Sequence, residues 1–371
     1  MKYKVVLWTL FVSILLAPNA EAQVKAGGAC KSVGSKQIAS GSSYTCVKIG
    51  KKLQWKKGLV DFVPPAVPTS WSDLEANYKG ISYAAWKKAN EKVLASKSTQ
   101  AKIVVLVGPN SQQLNDKLKG SISLTSRLYA GYLAPTTINA IYFNFKDVNW
   151  AQQELDRLTN NDRNVVGEAA HSCASATDCV GASARLTTNG DGALLFGVSS
   201  QGPKDSNHSS GTLEAHEFTH LIQDTQFLGS GRSWDSLPRW YVEGHAEFSQ
   251  AAIIHYADFQ NYQLERRRNA EELFLKSSYF TASWLEMFIA PSGWITGWEP
   301  WNSGPGWRVY DVGSLVTEIL VALKGPDSTL DLYKQVASGK SFSEGFKTIY
   351  GKPWSEAAPL IAKVINLQLK A

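Results

Sequence analysis

Residues 216–220 of this 371-residue chain read His216-Glu217-Phe218-Thr219-His220, and Glu243 follows in the run Trp240-Tyr241-Val242-Glu243-Gly244. On a helix, residues four apart stand one above the other on the same face, so the two imidazoles can aim at one point. The surroundings favour a helix. Thr212 is placed to cap its start, no Pro or Gly interrupts Leu213 to Phe227, and Gly229 and Gly231 end it. Pro238 can open a second helix at its first turn, and that helix carries Glu243 and Glu247 on one face. Between His220 and Glu243 lie 22 residues, enough to finish one helix, turn and return beside it. Histidine is scarce, six in the chain, and four of the six fall between 216 and 255, so the clustering carries weight. The fold is thus constrained to bring two particular helices together.

Two neutral imidazoles and one carboxylate form a common catalytic zinc set with a fourth position left open. Glu217 stands next to His216, where it can act on a water in that position. His-Glu-x-x-His followed by Trp-x-x-Glu-Gly-x-Ala-Glu resembles the gluzincins, specifically the peptidase MA-like group related to M1 aminopeptidases and clostridial-type collagenases. The resemblance implies Zn²⁺ held by His216, His220 and Glu243, with Glu217 as general base. Tyr310-Asp311-Val312-Gly313 looks like the Tyr-x-x-Gly segment downstream of the zinc helices in the M1-type enzymes. It makes Tyr310 the hydrogen-bond donor to the developing oxyanion. Asp224 and Glu247 each follow a ligand by one turn and are candidates to accept the second imidazole N–H, as carboxylates near metal-bound histidines commonly do. His245 lies about 200° round the helix from Glu243; it could contribute to the cleft, but the expectation is that it is packed or partly exposed. A metzincin pattern is excluded, because Gln223 and Gln226 stand where Gly and a third His are needed.

The resemblance implies an α+β chain with a zincin-like catalytic domain. Such a domain has a twisted mixed sheet, an active-site helix and a helical lower half. Strands are expected at Ile103 to Val107, Ile138 to Phe145 and Leu194 to Ser199, with residues 71–95 helical. By the same resemblance, Leu194–Ser199 is the edge strand on which bound peptide lies. The preferred activity is an endopeptidase. The alternatives are an M1-like aminopeptidase, whose amine-gripping segment has no counterpart here, and a non-catalytic zinc-binding protein associated with the cell wall. Residues 284–307 hold five tryptophans among Gly and Pro, either a cleft wall or ordinary packing.

The rest of the chain reads as follows. Residues 1–22 have the form of a secretory signal, with Lys2 and Lys4, an apolar run from Val5 to Ala17, and Ala20-Glu21-Ala22 at the cleavage point. The chain is therefore expected to be secreted, without a transmembrane segment. Export permits disulfides. Four cysteines allow three pairings, and the local one, Cys30-Cys46 with Cys173-Cys179, is expected. Residues 23–63 form a small disulfide-linked β module, 64–70 a stiff Pro-rich linker, and 71–371 the zincin-like metallopeptidase domain. Much of the net charge of +6 comes from the module's lysines, which offer contact with an anionic cell wall or surface. No motif for reading nucleic acid accompanies that charge. Arg266-Arg267-Arg268 is expected as a solvated face. The expected partner is a peptide or protein substrate.

Overall fold

The computed structural model describes residues 24–39, 42–58, 64–98, 100–161, 165–201, 207–291 and 308–371. The signal-like segment and Trp294, Trp298, Trp301 and Trp307 lie outside the described residues. The chain divides into two compact units, Met1–Val63 and Pro64–Ala371.

In the first unit, β1 (Lys36–Ala39), β2 (Ser42–Ile49) and β3 (Lys52–Gly58) pair antiparallel in that order. Alternation along β2 and β3 turns Tyr44, Cys46 and Trp55 inward as the buried side chains of this core, with Cys46 fully enclosed. So small a core buries little surface, and the Cys30–Cys46 disulfide supplements it.

The second unit mixes helix with a four-stranded mixed sheet. The strands β4 (Lys102–Val107), β5 (Thr137–Phe143), β6 (Ala182–Leu186) and β7 (Gly192–Gly197) lie in the order β4-β5-β7-β6. β4, β5 and β7 run parallel, and β6 runs antiparallel to β7. Both faces of β5 and β7 are covered. Ile138, Ala140, Tyr142, Leu194 and Phe196 face the larger core, while Ile141, Phe143, Ala193 and Leu195 face a smaller one. The helices α3 (Val148–Thr159) and α4 (Glu168–Ser172) supply the smaller core, and the Cys173–Cys179 disulfide joins it.

Against the other face pack α1 (Ile81–Ala95), α2 (Leu118–Leu128) and, after the short α5 (Asn207–Ser210), α6 (Thr212–Thr225). A helical region follows, comprising α7 (Arg239–Ile254), α8 (Phe259–Asn269), α9 (Glu271–Leu275), α10 (Ala282–Phe288), α11 (Arg308–Lys324), α12 (Asp327–Ala337), α13 (Phe342–Tyr350) and α14 (Trp354–Leu369). Among the described residues no helix is long and apolar enough to cross a membrane.

Three sequence expectations are corrected. Leu194–Ser199 is no edge strand, since β7 is hydrogen-bonded to β5 on one side and β6 on the other, and β6 is the antiparallel edge. The helix expected at 71–95 begins only at Ile81, after turns and a short 3-10 segment. Arg266 does not face solvent; its Nε lies 2.8 and 2.9 Å from the two carboxylate oxygens of the buried Glu318. Of the five tryptophans in 284–307, Trp284 is described; it lies on α10 and stacks on Phe288 with centroids 5.3 Å apart, which is the packing alternative.

Candidate metal centre

Gly211 precedes α6 with φ +89°, a conformation that costs a side chain but not glycine. A Cβ there would lie 2.6 Å from Ser121 Oγ, so the residue also allows α6 to approach α2. Thr212, expected as the cap, is instead the first helical residue, and its hydroxyl reaches Asn207. One turn on, α6 presents His216, Glu217 and His220.

α7 brings Glu243 to the two histidines, and glycine makes this possible. A Cβ on Gly244 would lie 2.0 Å from Gly313 C, and one on Gly313 would lie 2.0 Å from Trp240 O. α7 and α11 therefore cross backbone against backbone, with Glu243 and Tyr310 close to the crossing. Neither residue could be placed here if both glycines carried side chains.

At the centre, His216 Nε2 and His220 Nε2 approach to 3.1 Å. Glu243 Oε2 lies 3.2 Å from His220 Nε2 and 3.6 Å from His216 Nε2. These three residues offer ligand atoms within 4.8 Å of one another and could hold a metal ion; among the described residues they are the one such group. Burial disfavours the His216 cation, but Glu243 and Glu247 outweigh it and push the imidazole up to about 10. Burial also works against the Glu243 carboxylate, yet His220 and His216 hold it well below the usual carboxylate range. The group is thus an attractive pocket for positive charge.

Each imidazole has its other nitrogen occupied. Glu247 Oε2 lies 3.4 Å from His216 Nδ1. At His220 Nδ1 the partner is not Asp224 but Gln223, whose Oε1 accepts at 2.7 Å. A hydrogen bond donated from Nδ1 leaves Nε2 bare and ligand-ready. The Gln223 amide then donates through Nε2 to Val242 O at 3.0 Å and to His245 Nδ1 at 2.9 Å. His245 is fully buried, and its Nε2 lies 2.8 Å from Thr329 Oγ1, which itself donates to Pro326 O. Tyr129 Oη also reaches His245 Nε2, at 2.6 Å. Burial pushes His245 down to about 3, so it stays neutral with its proton on Nε2.

Glu217 lies beside the donors, and burial raises its carboxyl, tempered by His216 and His220. Tyr310 stands in the first turn of α11 with its ring centroid 5.8 Å from that of His216. Burial, with Glu243 next, raises its phenol far above the ordinary value, and Arg239 hydrogen-bonds to it. Arg239 Nε is also 3.6 Å from Glu243 Oε1. Asp224 lines the same cleft, and burial pushes it up to about 7.

The cleft has a volume of about 1040 Å³. His216, Glu217, His220, Glu243 and Tyr310 lie on its wall, and Ala182–Arg185 of β6 form another part of it. Sequence reading missed Gln223, Arg239 and β6. Gln223 had a signal, its spacing of three from His220, and Arg239 stands four before Glu243; both intervals share a helix face. Comparison of the chain with protein-family models, with curated proteins and with solved structures finds no match. What the centre can do therefore rests on its own donors.

Proposed function

We propose that the chain is a zinc-dependent peptidase of the gluzincin kind that cuts peptide or protein substrates at internal bonds. The observation that carries this is the convergence of His216, His220 and Glu243 beside Glu217 in one large cleft. Zinc fits the donor set. Tetrahedral zinc with donors at about 2.0–2.1 Å needs donors about 3.3–3.4 Å apart, and the spacings here are 3.1, 3.2 and 3.6 Å. A mixed sheet with an antiparallel edge strand over α6 supports a zincin-type fold.

A bound zinc ion would supply Lewis acidity toward water and a peptide carbonyl. Glu217 takes the proton of the attacking water and returns it to the leaving amine. The raised carboxyl of Glu217 suits a group that must do both. Tyr310 stays protonated at ordinary pH and donates a hydrogen bond to the carbonyl oxygen as negative charge grows there. Arg239 holds Tyr310 and Glu243 in register. An extended substrate pairs along β6, which favours cutting inside a chain over trimming its end. Residues 1–22 direct export and are removed after Ala22.

The test uses the chain from Gln23 onward. Zinc content is measured, and casein is compared with an aminoacyl chromogenic substrate. We expect one zinc per chain, cleavage of casein, and little release from the chromogenic substrate. Glu217→Gln should keep zinc and lose activity by about a thousand-fold or more. Full activity in that variant would falsify the mechanism.

A further inference from the structure

The first unit holds eight lysines and no Asp or Glu from Val24 to Gly58. Three of the eight gather at one place. β2 and β3 join through Gly50, which turns the chain with φ +60°, and Ile49 pairs with Lys52 at the end of the ladder. Lys48, Lys51 and Lys52 are exposed around this turn, and Ile49 among them is 57% exposed. The rest of the hairpin is anchored, because Cys46 in β2 is tied to Cys30 and pairs with the buried Trp55. The tip is therefore a supported projection that carries one apolar side chain amid ammonium groups.

Two classes of partner satisfy half of this arrangement each. A hydrated polyanion neutralises the lysines but gives Ile49 nothing. A zwitterionic bilayer receives Ile49 but offers the lysines no net charge. An anionic bilayer interface does both, since its headgroups pair with the lysines while a short apolar side chain enters the acyl boundary. Long lysine side chains can lay their stems along that boundary and keep their ends among the headgroups. We infer that the tip of the β2–β3 hairpin docks on the surface of an anionic phospholipid bilayer. The inference is independent of the peptidase reading and would survive its failure.

The test uses the chain from Gln23 onward, which keeps every described residue and removes the apolar segment that would itself bind lipid. The chain is sedimented with vesicles of phosphatidylcholine alone and with vesicles in which a third of the lipid is phosphatidylglycerol. Binding is expected only to the second, and it should weaken as salt rises. Each lysine contributes about five-fold near such a surface, so Lys48→Gln, Lys51→Gln and Lys52→Gln together should lower affinity about a hundred-fold. Ile49→Ser should lower it about ten-fold while leaving any affinity for soluble polyphosphate unchanged. A charge-matched control, Lys25→Gln with Lys31→Gln and Lys57→Gln, should lose much less than the tip triple. Melting curves of all variants guard against loss of the fold. Equal loss in both triples would mean unspecific attraction and overturn the tip. Polyphosphate binding without vesicle binding, or vesicle binding indifferent to Ile49→Ser, would overturn the lipid partner.

Discussion

Two side chains behind the centre decide how its nearest ones present themselves. Gln223 accepts from His220 Nδ1 and passes its own amide protons to Val242 O and to His245, which Thr329 and Tyr129 hold. His220 thereby has a proton placed on Nδ1, so that Nε2 is the nitrogen a neutral His220 offers to an ion, and α6 is tied to α7 through one amide. Removing such a partner typically weakens metal affinity by about 10–100-fold. Gln223→Ala should do so in a zinc titration, while Glu247→Gln, which keeps an acceptor for His216, should cost less. Equal affinity for Gln223→Ala and the parent chain would show that packing alone orients His220. Away from the centre, Asp73 accepts from the backbone N–H groups of Ser70 and Thr69 and from both hydroxyls. Those bonds, the Ser70 N–H first, hold its carboxyl down to about 2. The folded value lies below the unfolded one, so the stabilisation is complete above about pH 4 and fades as pH falls through the folded value. Asp73→Asn should lower the melting temperature near neutral pH, with the gap closing in acid. At this scale the group that could hold a metal ion was legible from spacing, because a helix converts an interval of four into a shared face. Gln223 was overshadowed by Asp224, since a carboxylate is the commoner partner and one residue of helical rotation cannot be read without the packed neighbours.

Helix α7 meets α11 at Gly244 and Gly313, and that crossing places Glu243 and Tyr310 at one cleft. Adding a methyl group to a fully packed contact costs about 1–3 kcal/mol. Gly244→Ala and Gly313→Ala should each lower the urea midpoint accordingly and reduce hydrolysis more than stability alone explains, because the helices must part. A variant of either kind with unchanged stability and activity would refute the crossing. The Glu-Gly and Tyr-x-x-Gly patterns in the sequence thus have one mechanical reason. Strand identity was only partly legible. The run Ala193-Leu194-Leu195-Phe196 is apolar at every position, which marks a strand covered on both faces and hence an interior one. Ala182-Ser183-Ala184-Arg185-Leu186 carries little strand signal of its own and becomes the edge by pairing with β7.

Charge divides unevenly over the whole molecule. Residues 1–63 hold ten lysines, no arginine and two acidic residues, a balance of +8; the total of +6 leaves −2 for Pro64–Ala371. Stability divides in the same way. The first unit rests on three buried apolar side chains and the disulfide closing Cys30 to Cys46, 16 residues apart, worth about 3 kcal/mol. The second has a large continuous core, and its Cys173–Cys179 bridge closes only 6 residues, worth about 2 kcal/mol. Mild reductant should therefore unfold the first unit alone. Limited trypsin treatment should then cut within 24–58 and spare a fragment from about Pro64 onward that still binds zinc. Loss of both units together would mean that they fold as one.

Periodicity and turn residues sufficed to single out His216, His220 and Glu243, which the structure brings together as a group that could hold a metal ion, with their two helices and three of the four sheet strands. These are local properties, set by side-chain intervals of two or four and by where Pro and Gly interrupt them. Tertiary structure alone decided which strand forms the edge, which residue holds His220 and how close α7 and α11 approach. Those outcomes depend on partners far away in the chain, and the chain's own order does not say which of them will touch.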